Sequence, residues 1–124
     1  MKVFLDDIRM PDQCLSYMHY RIGKLNPIYA ESWEIVRNYE SFVNCVEKNF
    51  EKITHISFDH DLADIYYDPI TCREIFAYNS KTGYDCAVWL KNFYTNKGLN
   101  MPIVFIHSES EDKQKLFDFF NQNI

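Results

Sequence analysis

The chain has 124 residues, enough to bury one hydrophobic core and too few for two, so we expect a single domain over residues 1–124. With 47% hydrophobic and 25% charged residues, its composition is that of an ordinary globular protein. The formal net charge of −5 argues against nonspecific binding of nucleic acid, which requires a basic surface, but it is compatible with a pocket for one phosphate group.

No segment of the sequence has the features of a membrane span or a secretory signal. The longest apolar run, PIVFI at 102–106, is far shorter than a membrane helix, and acidic residues follow the first strand too early for a signal peptide. The cysteines are widely spaced without a C-x-x-C pair, which favours reduced thiols over a zinc site. We therefore expect a cytoplasmic protein, in a bacterial cell or a virus-infected host, with no membrane partner.

The first half of the chain predicts three strands and one helix. KVFLDD at 2–7 is an apolar run that ends in acid and suits a buried strand. A long loop with room for a short helix follows at about 10–30, and SWEIVRNY at 32–39 predicts the second strand. Asn38 is a plausible N-cap for a helix with Phe42, Val46 and Phe50 at helical spacing. KITHISFD at 52–59 predicts the third strand.

The second half predicts one further strand and two helices. After a second long loop at about 63–81, Thr82 and Asp85 form a capping box for a helix that ends at Gly98. MPIVFIH at 101–107 is the fourth predicted strand, and a last helix at 111–123 is expected to bury Leu116, Phe117 and Phe120. Strands that alternate with helices predict an α/β fold, in which a parallel sheet is covered on both faces.

Titratable and polar side chains follow three of the predicted strands. Because the carboxyl ends of parallel strands share one edge of the sheet, where ligands bind, we expect these side chains to converge. They are Asp6, Asp7 and Arg9 after the first strand, Asp59, His60 and Asp61 after the third, and His107 and Ser108 after the fourth.

Carboxylates that lie this close repel one another, by roughly 3 kcal/mol for a pair about 5 Å apart at an effective dielectric constant near 20. A proton on one carboxyl or a hard divalent cation such as Mg²⁺ would neutralise them. Two histidines beside such an ion would offer proton transfer near neutral pH. Metal and acid–base groups at a crevice of this kind indicate phosphoryl chemistry.

Each of these residues also has an ordinary structural interpretation. The aspartates could end strands and cap turns, and Arg9 could be only their ion-pair partner. His60 could be an exposed loop residue, and His107 could simply bond the backbone. Ser108 could be an N-cap for the last helix, since it forms a capping box with Glu111.

Four segments together resemble the cyclic-phosphate processing receiver domains: FLDDIRMP at 4–11, SFDHDL at 57–62, TGYDCAVWL at 82–90 and VFIHS at 104–108. The resemblance implies a three-layer flavodoxin-like, receiver-like fold with a short parallel sheet of order 2-1-3-4 and helices on both faces. It also implies a role in processing cyclic-phosphate ends, such as RNA 2′,3′-cyclic phosphates.

The chain is also similar to two-component receivers, which bind Mg²⁺ through an acidic pair that matches Asp6 and Asp7. The phospho-acceptor of those proteins matches Asp59, and their switch hydroxyl matches Ser108. The lysine that follows their fifth strand has no counterpart here, which argues against simple phosphorelay signalling. The fifth strand itself is also missing from the prediction, which leaves a sheet edge that a partner or a second copy in a homodimer could cover.

Both long loops leave the edge of the sheet where the titratable residues converge. They are rich in tyrosine and contain basic residues, so they could stack a nucleobase and contact phosphate. Tyr66, Tyr67 and Arg73 are the candidate lid contacts. The alternative is that these rings pack on one another and only fix the loops in place.

The leading hypothesis is a metal-dependent phosphoesterase that acts on a cyclic phosphate of an RNA end or a nucleotide. Asp6, Asp7 and Asp59 would bind Mg²⁺ or Mn²⁺, and Arg9 and Ser108 would contact phosphate. His60 and His107 would serve as base and acid, with Asp61 as a further ligand or as the residue that orients His60. The alternatives are a non-catalytic protein, such as a viral one, that binds a cyclic nucleotide or a partner, and an atypical receiver phosphorylated on Asp59.

Overall fold

A computed structural model describes residues 1–15, 27–67, 74–78, 81–108 and 113–122 of the protein. The strands are β1 (Lys2–Leu5), β2 (Glu34–Val36), β3 (His55–Phe58), β4 (Ala63–Tyr67), β5 (Glu74–Tyr78) and β6 (Ile103–Ile106). The longer helices are α1 (Tyr39–Asn49), α2 (Gly83–Asn96) and α3 (Lys113–Gln122). Residues 11–15 are also helical, and Pro27–Ala30 form a 3₁₀ turn.

Four strands form one parallel sheet in the order β2-β1-β3-β6. Since β6 is the fourth strand predicted from the sequence, the predicted order 2-1-3-4 and the receiver-like α/β fold are confirmed. Leu5 pairs with Val36 and with Phe58, and Phe58 pairs with Ile106. The strands therefore end at the same level, so the residues that follow them lie along one edge.

The two faces of the sheet are covered by helices of unequal size. Val3 and Leu5 point into the larger core, which is built with residues of α1, α2 and α3. Phe4 points the other way, into a smaller core with Cys14 and Tyr29 from the segment between β1 and β2. The alternation along β1 thus assigns successive side chains to opposite cores.

The helix boundaries follow from their caps. As predicted, Asn38 is the N-cap of α1, and Thr82 and Asp85 form a capping box on α2; Ser41 completes a second capping box with Asn38. Gly98 ends α2 with a φ of 67°, a conformation that glycine adopts without strain. Within the described ranges, no helix has the length and apolar character that crossing a membrane would need.

Two local expectations differ from the structure. The stretch predicted as the second long loop contains an antiparallel hairpin, in which Ala63 pairs with Tyr78 and Tyr67 with Glu74. Its strands are rich in β-branched and aromatic residues but lack clear alternation, so β-propensity was the available signal. Phe117 of α3, expected to be buried, is 39% exposed, because Leu116 takes the position that faces the core.

The start of α2 packs directly on the backbone that follows β3. The N–H of Gly83 donates to the carbonyl oxygen of His60 at 2.7 Å. A Cβ at position 83 would lie 1.7 Å from the carbonyl oxygen of Asp59 and 3.0 Å from His60 Cα. Only glycine permits this approach, and through it the helix fixes the segment that contains the acidic and histidine side chains.

We expect Gly83→Ala to lower the free energy of unfolding by about 2–3 kcal/mol, because α2 must move away from the Asp59 backbone. Gly98→Ala is the control: its Cβ would meet nothing within 4 Å, so its cost, about 1 kcal/mol, comes from the left-handed backbone alone. Chemical denaturation of both variants measures the difference. A smaller loss for Gly83→Ala than for Gly98→Ala would contradict the close approach.

Candidate active site

Three acidic side chains converge at the edge where β1 and β3 end. Asp6, Asp7 and Asp59 each offer a carboxylate oxygen, and these three atoms lie within 4.8 Å of one another. Asp6 is fully buried and Asp59 is 4% exposed, while Asp7 is half-buried. Burial matters here because little water is left to screen the charges from one another.

The Asp6 carboxylate accepts hydrogen bonds on both oxygens. Oδ1 accepts from the backbone N–H groups of Ile8 and Arg9, at 3.0 and 2.8 Å. Oδ2 lies 2.9 Å from Nε of Arg9 and 3.1 Å from Nε2 of His107. The chain therefore turns around Asp6 directly after β1, and this carboxylate has a fixed orientation.

Arg9 connects the ends of the two central strands. Its Nε donates to Asp6, and its Nη2 lies 3.4 Å from Oδ1 of Asp59. Arg37, which follows β2, donates to the backbone oxygens of Asp6 and Arg9 at 3.1 and 2.7 Å. One guanidinium is thus shared by two buried carboxylates, and a second one holds the backbone that carries it.

The two buried carboxyls have pKa values shifted in opposite directions. Burial by itself raises the pKa of Asp6, but the hydrogen bond from His107, the backbone N–H donors and the charge of Arg9 hold it well below its ordinary value. Burial, followed by the negative charges of Asp6 and Asp7, raises the pKa of Asp59 to about 7, although the charge of Arg9 and a Ser108 hydrogen bond lower it. Near neutral pH, Asp6 is ionised and Asp59 is half protonated.

His107 lies beneath the acidic cluster in a chain of buried polar side chains. Its Nε2 contacts Asp6, and its Nδ1 lies 2.6 Å from Oγ of Ser57, which in turn lies 2.8 Å from the hydroxyl of Tyr29. The ring stacks on Phe4 with centroids 4.2 Å apart, and burial lowers the pKa of His107. Ser57 and Asp6 contact it through their side chains, so His107 does not merely bond the backbone.

His60 is the other histidine of the site and has a different environment. It is 5% exposed, so it is not an exposed loop residue, and its backbone N–H donates to Oδ1 of Asp59 at 2.9 Å. Its Nδ1 lies 2.8 Å from Oδ1 of Asp61, whose side chain is 51% exposed. A histidine oriented by a carboxylate in this way is suited to proton transfer.

The remaining predicted site residues have different outcomes. Ser108 is 7% exposed and its hydroxyl donates to the Asp59 carboxylate. Tyr66 and Tyr67 lie in β4, on the hairpin that follows the site segment. Arg73 lies outside the described residues. The structure thus brings together the predicted metal, phosphate and histidine positions, and the lid contacts stay predictions.

Four residues of the site were assigned no individual role from the sequence. Ser57 and Gly83 lie in SFDHDL and TGYDCAVWL, two segments of the family resemblance, where a polar residue within an apolar strand and a glycine at a helix start were the signals. Tyr29 was counted only among the tyrosines of the first long loop, and Arg37 has no local signal, because the contacts of both depend on the path of the chain.

Comparison with known proteins identifies the family of the chain. The sequence profile described as the cyclic-phosphate processing receiver domain matches residues 1–118. Neither the curated proteins nor the solved structures contain a match to the chain.

In protein kept free of metal by a chelator, the raised pKa of Asp59 predicts that its contribution to the free energy of unfolding falls as the pH rises. Between about pH 4 and 7 the unfolded chain releases the Asp59 proton while the folded protein retains it, so this carboxyl stabilises the folded state below pH 4 and no longer does so above 7. His107 has the opposite slope, because its pKa is lowered on folding. Comparing Asp59→Asn with wild type cancels that contribution.

We therefore expect Asp59→Asn to gain stability over wild type as the pH rises from 4 to 7, with a constant difference above 7. Urea denaturation at several pH values measures this difference. Asp118→Asn, at an exposed position of α3, controls for the loss of one negative charge. If the stability difference between Asp59→Asn and wild type stays constant or shrinks from pH 4 to 7, the pKa of Asp59 is not raised in the folded protein.

Proposed function

Because the chain belongs to the cyclic-phosphate processing receiver domain family, we propose that it is a metal-dependent phosphoesterase that opens a cyclic phosphate on an RNA end or a nucleotide. The observation that carries this proposal is the cluster of Asp6, Asp7 and Asp59, two of them buried, beside an oriented histidine and a shared guanidinium. The same sheet edge therefore combines candidate metal ligands, a proton-transfer group and an anion-binding group.

The donor set fits a hard divalent cation, Mg²⁺ or Mn²⁺. Asp6, Asp7 and Asp59 offer only carboxylate oxygens, the ligands that such ions prefer, and no thiolate or imidazole of softer sites. Two ionised carboxylates whose oxygens lie within 4.8 Å repel by at least about 3 kcal/mol at an effective dielectric constant of about 20, and a divalent cation would turn this repulsion into attraction. When bound, such an ion supplies charge stabilisation to the phosphoryl group in the transition state.

Arg9 and Ser108 are the candidate phosphate contacts. In the structure, Arg9 forms ion pairs with Asp6 and Asp59. Its side chain is 23% exposed, so it can reach a ligand at the edge of the site. A divalent cation bound by the carboxylates would free its guanidinium for a phosphate oxygen, which it contacts with planar, bidentate geometry. Ser108 would add a hydroxyl donor beside Asp59.

His60 is the candidate for proton transfer. Hydrolysis adds one water to the cyclic phosphate: the oxygen of water bonds to phosphorus, one P–O ester bond breaks, and the leaving ribose oxygen takes up a proton. With its Nδ1 on Asp61, His60 is oriented to accept the proton of the attacking water and to return it to the leaving oxygen. Asp61 acts through His60 and is a positioning residue.

His107 has a different role in this proposal from the one expected from the sequence. Both ring nitrogens of His107 already have side-chain partners, Ser57 and Asp6. A group that exchanges protons with substrate needs to contact it, so the geometry does not favour His107 as the catalytic acid. Its contact with Asp6 makes it a positioning residue for a candidate metal ligand.

The activity is tested by incubating the protein with Mn²⁺ or Mg²⁺ and an RNA oligonucleotide that ends in a 2′,3′-cyclic phosphate, beside cyclic mono- and dinucleotides. We expect ring opening, detected by mass as the addition of one water. Asp59→Asn and His60→Ala should each reduce turnover by at least about a hundredfold, since the first removes a candidate metal ligand and the second the proton-transfer group. Asp118→Asn should retain wild-type turnover.

Two results would contradict the phosphoesterase proposal. Binding of a cyclic nucleotide by calorimetry without any turnover would favour a sequestering protein. Transfer of a phosphoryl group from a small phosphodonor to wild type but not to Asp59→Asn, without ring opening, would favour a phospho-acceptor receiver.

A further inference from the structure

Three buried side chains lead from the smaller core to the acidic cluster. They are Tyr29, Ser57 and His107, and their exposed fractions are 1%, 0% and 1%. Ser57 lies on β3, paired with Phe4 of β1 and Phe105 of β6, so its hydroxyl is in the interior of the sheet. A serine at this place replaces the apolar residue that a buried strand position normally has, and its hydroxyl must be satisfied by hydrogen bonds.

The geometry determines which way each hydrogen bond points. Within the described part of the chain, the hydroxyl of Tyr29 bonds Oγ of Ser57, and a buried hydroxyl hydrogen needs an acceptor, so Tyr29 donates. The single hydroxyl hydrogen of Ser57 is then donated to Nδ1 of His107. A nitrogen that accepts carries no hydrogen, so the hydrogen of the ring lies on Nε2 and is donated to the carboxylate of Asp6.

The reverse direction leaves a conflict at Asp6. If His107 donated from Nδ1 to Ser57, a neutral ring would turn the lone pair of Nε2 toward a carboxylate oxygen 3.1 Å away. Two acceptors would then face each other without a hydrogen between them, and the hydroxyl hydrogen of either Tyr29 or Ser57 would lack an acceptor within the described residues. One direction of the chain therefore satisfies all of its members.

We propose that Tyr29 and Ser57 are positioning residues of the acidic site, which fix the tautomer of His107 and thereby the orientation of the Asp6 carboxylate for a divalent cation. The stacking of His107 on Phe4 sets the plane of the ring, and the hydrogen bonds at its two nitrogens set its rotation within that plane. The inference rests on the proposed function in that Asp6 is taken as a metal ligand. Groups that orient metal ligands typically affect metal affinity by about 10–100-fold.

The direction of the chain is tested by nitrogen-15 NMR of the histidine rings in protein treated with a chelator. We expect His107 to carry its hydrogen on Nε2 in wild type, with the Nδ1 signal of an acceptor nitrogen. In Ser57→Ala the Nε2 hydrogen should exchange with solvent about fivefold faster, because the ring loses the bond that fixes it. A hydrogen on Nδ1 in wild type, or unchanged exchange in Ser57→Ala, would overturn the proposal.

The consequence for metal binding is tested by calorimetric titration with Mn²⁺. We expect Ser57→Ala to bind about tenfold more weakly than wild type and Tyr29→Phe to show a smaller loss. Since Tyr29 acts through Ser57, adding Tyr29→Phe to Ser57→Ala should cause no further loss. If Ser57→Ala does not fold, Tyr29→Phe alone still decides the question, because wild-type affinity in that variant contradicts the proposal.

Tyr94→Phe is the matched control. It removes a tyrosine hydroxyl that is also buried and donates to the carbonyl oxygen of Phe50 at 3.2 Å, in the larger core on the other face of the sheet. It should reduce stability without changing Mn²⁺ affinity or the His107 signals. An equal loss of affinity in Tyr94→Phe and Ser57→Ala would show that stability alone is responsible, and would overturn the positioning role.

The two proposals fail in different ways. If wild type binds Mn²⁺ and Ser57→Ala binds it more weakly, but no cyclic phosphate is opened, the phosphoesterase proposal fails and the positioning role stands. If wild type binds no Mn²⁺, the metal part of both is wrong, and the ring signals still decide whether Tyr29 and Ser57 fix His107.

Discussion

Two buried carboxylates, Asp6 and Asp59, end the two central strands and share the guanidinium of Arg9. The parallel pairing of β1 and β3 makes this proximity unavoidable, because both strands end at the same level. Burial and the neighbouring charge of Asp6 raise the pKa of Asp59 to about 7, since one positive charge does not offset two buried carboxylates. This arrangement of Asp6, Asp59 and Arg9 should therefore attract a further positive charge.

The proposed function follows from that shortage of positive charge. A divalent cation at Asp6, Asp7 and Asp59 would ionise Asp59 fully and release Arg9 for an anionic ligand. The site would then change from a self-neutralised cluster to one that attracts phosphate, with His60 already oriented by its carboxylate partner. Binding of metal and of substrate would be coupled through the same charges.

The sequence was sufficient for the features that depend on strand ends and helix caps. Asp6 and Asp59 could be placed together because parallel strands bring their carboxyl ends to one edge, whatever lies between them. The contact between Tyr29 and Ser57 could not be predicted, since it spans 28 residues and depends on where an irregular segment crosses the sheet. The role proposed for His107 differs from the one expected from the sequence for a related reason: its position after a strand predicts the edge of the site but not that both ring nitrogens contact side chains.

The most direct measurement is a crystal structure of the protein grown with Mn²⁺, with anomalous diffraction data collected to locate the ion. The account predicts one anomalous peak in contact with carboxylate oxygens of Asp6, Asp7 and Asp59, and an Arg9 guanidinium that has moved away from Asp59. No peak at these carboxylates at saturating Mn²⁺, with Arg9 still bridging Asp6 and Asp59, would contradict it.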